Sequence, residues 1–128
     1  MRAFLRNHKK LFSIIALIAL LFTVLNAWSL LAPTRGRLTA QFDLKRGRYI
    51  YLTFGLEPPE RREIARLLQE RYGVELRTVA GDIVSKDLVA YVDAYNEAMD
   101  AAVNRRFGHN VYKECYDAAY KVADQNLH

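Results

Sequence analysis

The chain has 128 residues, a formal net charge of +5 and a single cysteine. That length leaves room for one small domain besides a membrane segment, and one cysteine excludes an internal disulfide framework. The positive balance does not point to nucleic acid. Residues 1–10 hold four Lys/Arg and no acid, while residues 33–128 hold 15 Lys/Arg against all 14 Asp/Glu, without the concentrated stripe that a nucleic-acid face needs.

The basic tail, residues 1–10, carries Arg2, Arg6, Lys9 and Lys10. Leu11 to Ala32 follow as 22 residues without a charge. As a helix this run extends about 33 Å, which matches a hydrocarbon core of about 30 Å. Trp28 near its end suits the interfacial belt. The sequence thus predicts a single-pass membrane protein with the lipid bilayer as its first partner. A cleaved signal peptide, leaving a secreted domain, is the competing reading. The apolar run is longer than the roughly 7–15 residues of such peptides. Leu25-Asn26-Ala27 also lacks a small-x-small site, and cleavage after Ala32 would meet Pro33. Basic residues flank both ends, with five of them (Arg35, Arg37, Lys45, Arg46 and Arg48) soon after the span. Because Lys9 and Lys10 abut the apolar run like the head of a signal-anchor, the tail is placed inside and the domain outside the cytoplasm.

Residues 33–47 are expected to be a linker, broken by Pro33 and Gly36, and a short helix from Leu38 to Arg46 that Gly47 closes. Residues 48–128 would form the domain. Arg48 to Gly55 is rich in aromatic and β-branched residues and predicts a strand. Pro58 and Pro59 open a helix whose stripe is Ile64, Leu67, Leu68 and Tyr72, ended by Gly73. Val74 to Ala80 predicts a second strand, with Ile83 and Val84 extending the sheet. Strand, helix and strand with short joints predict a βαβ unit with parallel strands. Ser85 would cap a long helix, Lys86 to Phe107, whose inner stripe is Leu88, Tyr91, Val92, Tyr95, Met99, Ala102 and Val103, with Gly108 at its end. Asn110 would cap a last helix from Val111 to about Gln125. The fold class expected is α/β, with α+β as the alternative: an N-terminal transmembrane helix, then a small βαβ-αα domain whose short sheet is covered by helices largely on one face.

The segments QERYGVELRTVAG and AYVDAYNEAMDAAVNRRFG resemble the FEKKY domain, a family of uncharacterised bacterial proteins. The matching positions are Glu70, Arg71, Tyr72, Gly81, Tyr95, Asn96 and Gly108, within a similarity running roughly from Asp43 to Ala118. The family's Phe-Glu-Lys-Lys run corresponds to Leu68-Gln69-Glu70-Arg71, and Asp82 stands where the family often has cysteine. The resemblance implies a compact domain and no particular activity.

Chemistry-bearing residues are few. His8, His109 and His128 are scattered and lack metal-ligand spacing, so no metal or other cofactor is expected. Cys115 shares a helix side with Val111 and Ala119 and reads as a small buried hydrophobe, rather than a nucleophile activated by His109. Tyr91 and Tyr95 lie four apart, as do Tyr112, Tyr116 and Tyr120. Such a ladder is either a packed helix contact or a platform for a partner, with the last-helix ladder the part expected to reach solvent. Asp93, Glu97 and Asp100 read as a solvated helix face. Asn96 is unfavourable in mid-helix, so it is expected to bond a loop such as Gly81-Asp82, or a ligand. The function expected is a tethered interaction module for another membrane or envelope protein, with Asn96, Asp82, Tyr112, Tyr116 and Tyr120 as candidate binding residues. A small anchored enzyme with a site near Asp82 and Asn96 is the alternative.

Overall fold

A computed structural model describes the backbone of residues 2–81 and 83–127, with side chains from His8 onward. Asp82 and His128 lie outside the described residues. The chain divides into two compact units, residues 1–32 and 33–128.

The first unit is one helix, α1, Arg2–Leu30. Residues 2–10 of the basic tail are helical and form the first turns of α1. Among the described residues, α1 is the helix long and apolar enough to cross a membrane, over His8–Leu30. Its large apolar side chains, from Leu11 and Phe12 to Trp28 and Leu30, are exposed along its length. The polar ones turn back onto their own backbone: Thr23 Oγ1 donates to the Ala19 carbonyl and Asn26 Nδ2 to that of Phe22, both at 2.8 Å. Satisfying polar groups within the helix lowers the cost of placing them in lipid.

The helix was expected to run to Ala32; it stops at Leu30, and α2, Ala32–Lys45, begins two residues later. Proline 33 accounts for both. Its ring would clash with the carbonyl four residues back, ending α1, yet its missing N–H costs nothing in a first turn. Pro33 and Gly36 thus lie inside a helix, where a linker was expected. Gly47, at φ 72°, closes α2 in the left-handed conformation, and Arg48 N–H bonds the Asp43 carbonyl at 2.9 Å.

Within the second unit, β1 (Ile50–Phe54), α3 (Pro59–Tyr72) and β2 (Glu75–Ala80) follow in order, then α4 (Lys86–Phe107) and α5 (Val111–Gln125). The strands form a two-stranded parallel sheet, with Ile50 opposite Glu75 and Thr53 opposite Thr78. A bulge then brings Phe54 opposite Ala80. This mostly helical molecule with a short parallel sheet is consistent with an α+β class. Ile83 and Val84 add nothing to the sheet, and Ile83 is exposed. Ile50, Tyr51 and Leu52 are all buried. Successive strand residues point to opposite faces, so β1 is covered on both, where one covered face was expected. β2 is the wet strand, with Glu75, Arg77 and Val79 exposed.

Helix ends follow the sequence closely. Pro59 starts α3 and Gly73 ends it at φ 66°. Ser85 Oγ accepts from Leu88 N–H at 3.2 Å, Gly108 is left-handed, and Asn110 Oδ1 accepts from Lys113 N–H at 2.9 Å. The core joins Ile64, Leu67 and Leu68 of α3 to Val92, Tyr95, Met99 and Val103 of α4. Val111, Cys115 and Ala119 of α5, Ala40 of α2, Val74 and the buried residues of β1 belong to it as well.

Candidate functional site

Asp93, Asn96, Glu97 and Asp100 recur at i, i+3, i+4 and i+7 and so share one face of α4. Asp93, Glu97 and Asp100 were expected on a solvated face; Asp93 and Glu97 are exposed, whereas Asp100, with Asn96, is half-buried toward β1. The space between α4 and β1 is a cleft of about 390 Å³ lined also by Tyr51, Leu52, Thr53, Leu76, Asn110 and Tyr112.

The described partner of Asn96 is β1, while Asp82 of the expected loop lies outside the described residues. Asn96 Oδ1 accepts from Leu52 N–H and its Nδ2 donates to the Leu52 carbonyl, each at 2.8 Å. The carboxamide thus occupies the place of a neighbouring strand along the edge of β1 that faces away from β2. Arg61 continues the cover, with Nη1 donating to the carbonyls of Phe54 at 2.6 Å and Leu56 at 2.9 Å. An exposed strand edge invites pairing with another chain, and here side chains of α4 and α3 occupy it.

The rest of the cleft floor is also bonded internally. Tyr51 OH donates to Asp100 Oδ1 at 2.8 Å, and Asn104 Nδ2 donates to Asp100 Oδ2 at 3.2 Å. Burial first, then the Asp100 hydrogen bond, pushes the Tyr51 phenol well above its ordinary value. The Tyr51 and Tyr112 rings meet edge-on at 5.3 Å, and burial raises the Tyr112 phenol. Asp93 and Glu97 remain exposed at the rim. The arrangement is an aromatic wall beside two open carboxylates over a floor in which Asn96, Asp100 and Tyr51 are bonded to the protein itself, which suits a cation with hydrogen-bond donors.

The last-helix ladder divides. Tyr112 belongs to the cleft, whereas Tyr116 and Tyr120 are exposed and pack on each other at 4.5 Å. Tyr95 is buried, and its OH donates to Asp43 Oδ2 at 2.7 Å. Cys115 is fully buried with Val111 and Ala119 on either side of it, and burial raises its thiol. His109 makes other contacts: its Nε2 lies 2.7 Å from Glu114 Oε2 and 3.1 Å from Tyr72 OH. Tyr72 OH donates to Glu114 Oε2 at 2.6 Å, and Arg71 pairs with Glu114 at 3.2 Å. These bonds hold the Glu114 carboxyl below the usual range, the one from Tyr72 first. They push the Tyr72 phenol up to about 12, chiefly through Glu114. Among the described residues, no three His, Cys, Asp or Glu side chains are grouped as a metal ion would require.

Of the residues singled out in the sequence, Asn96 and Tyr112 meet in the cleft; Tyr116 and Tyr120 do not. Tyr51, Asn110 and Arg61 were missed, because nothing local marks a strand tyrosine or a helix cap as facing a cleft. Searches of protein-family models, curated proteins and solved structures find no match to this chain.

Proposed function

We propose that the chain is a single-pass, membrane-anchored interaction module whose cleft between β1, α4 and α5 takes a cationic segment of another membrane or envelope protein. The observation that carries this reading is the division of polar groups in the cleft. Asn96, Asp100 and Tyr51 are engaged with the protein's own backbone and side chains, while Asp93 and Glu97 stay open. Catalysis by acid–base or nucleophilic groups needs them free to face a substrate. A binding surface needs only shape, an aromatic anchor and an unneutralised charge. The apolar helix α1 supports the anchor, and Lys9 and Lys10 before it favour a domain on the extracytoplasmic side. We read β1, α3 and β2 as a βαβ unit with a right-handed crossover, which sets α4 beside the far edge of β1.

A photo-crosslinking residue at Thr53, in the full-length protein in native membranes, tests the reading. The expected result is a discrete adduct that survives with Lys121 or Leu56 altered and disappears in Asp93→Lys/Glu97→Lys. No adduct above background, or one indifferent to both charge reversals, would overturn it. Alkaline carbonate separately tests the anchor, since a chain released to the aqueous phase has no span.

A further inference from the structure

The side of α2 opposite its packed face carries an unusual combination. Gly36 and Ala40 are buried. At 100° per residue the opposite arc holds Thr34, Arg37, Gln41, Lys45, Leu38 and Phe42, all exposed, with Leu38 at 56 % and Phe42 at 62 %. It carries no carboxylate: Asp43, the one acid of α2, turns inward to Tyr95. Beside the end of this arc lies a shallow hollow of about 420 Å³ lined by Lys45, Arg105, Arg106, Gln41 and Tyr49, among others. The Arg106 guanidinium is already seated over the Tyr49 ring at 4.7 Å. Ion pairs among the described residues use Arg66, Arg71, Arg77, His109 and Lys113. None uses Arg37, Lys45, Arg105 or Arg106.

We infer that α2 is an interfacial helix: Leu38 and Phe42 enter the headgroup layer of the membrane that α1 spans, and Arg37, Lys45, Arg105 and Arg106 hold anionic phospholipid headgroups. The surface of α2 suits lipid better than a protein partner in two respects. An apolar pair bordered by basic residues, without acids, is the pattern of helices that lie in a bilayer interface. Phe42 also follows Leu30, the last residue of the candidate span, within about a dozen residues. An extended chain reaches at most about 3.6 Å per residue, so α2 stays in the neighbourhood of the headgroups. Each basic residue near an anionic surface contributes about fivefold to partition. Neutralising three should lower the docked-to-free ratio by about a hundredfold. The inference rests on the anchored reading of α1.

The test uses the full chain with Trp28→Phe and Phe42→Trp, giving a single tryptophan. It is reconstituted in phosphatidylcholine vesicles with or without phosphatidylglycerol, with brominated acyl chains as quencher. The expected result is that the protein floats with both vesicles, and Trp emission is blue-shifted and quenched when phosphatidylglycerol is present. Both effects should be lost in Arg37→Gln/Lys45→Gln/Arg105→Gln while flotation persists. A reporter at Leu38→Trp should behave alike, and one at Leu56→Trp should stay water-like. Water-like emission in floating protein overturns the inference and leaves the anchor standing. So does a blue shift without quenching, which would mean that protein, such as a second copy, covers the patch. Quenching that ignores both phosphatidylglycerol and the three substitutions overturns the headgroup assignment. Failure to float removes the anchor and this inference together.

Discussion

At the scale of single residues, Asn96 explains itself through what it replaces. Both atoms of its carboxamide are spent on Leu52, so removing it leaves a part-buried N–H and carbonyl without partners. Stranding such groups costs about 1–3 kcal/mol. Asn96→Ala should lower unfolding free energy by that amount in urea titration. Asn96→Asp should not restore it, because a carboxylate cannot donate to the Leu52 carbonyl. An unchanged midpoint in Asn96→Ala would show that water fills the role. Part of this was legible in the chain: a mid-helix asparagine signals a side chain with a task. Its partner was not, because Leu52 lies 44 positions away and only the packing of α4 against β1 brings them together. The same holds for Tyr51 and Asp100, 49 positions apart.

At the scale of elements, the helices α3, α4 and α5 were read to within a residue or so because proline, serine, asparagine and glycine at their ends act through local geometry. The start of α2 was misread for a related reason. Proline and glycine commonly break helices, but here Pro33 opens the helix and Gly36 serves its packing. A Cβ on Gly36 would lie 2.2 Å from the Tyr91 carbonyl oxygen and 3.1 Å from Tyr95 N, both backbone atoms of α4 that cannot swing aside. Alanine gains up to about 1 kcal/mol over glycine in a helix, whereas overpacking costs about 1–3 kcal/mol or more. The clash wins: Gly36→Ala should lower the thermal midpoint despite its better propensity. A raised midpoint would mean that α2 and α4 are not in close contact. The helix pattern of Asp93, Asn96, Glu97 and Asp100 was equally visible, but periodicity reports a shared face and not what that face meets. Hence the solvated reading holds for Asp93 and Glu97, and fails for Asp100, which bonds Tyr51.

At the scale of the whole molecule, the carboxyls and phenols whose pKa shifts on folding predict how stability varies with pH. Glu114 has its pKa lowered on folding. Its contribution is therefore full above the unfolded value of about 4.3 and is lost as pH falls through the folded one. Tyr51, Tyr95 and Tyr72 have theirs raised. Their contribution is full below about 10 and is lost as pH rises through the folded values. Denaturant midpoints measured from acid to alkali should show a plateau falling on both sides. Glu114→Gln should flatten the acid limb and Tyr72→Phe the alkaline one; an acid limb unchanged in Glu114→Gln would assign it elsewhere. Cys115 adds a consequence of its own. Because the sole sulfhydryl sits on the buried face of α5, an alkylating reagent in the buffer can reach it only during excursions that part the helices. The rate of its modification, set against that of a free thiol, therefore times those excursions in intact proteoliposomes without any label being introduced.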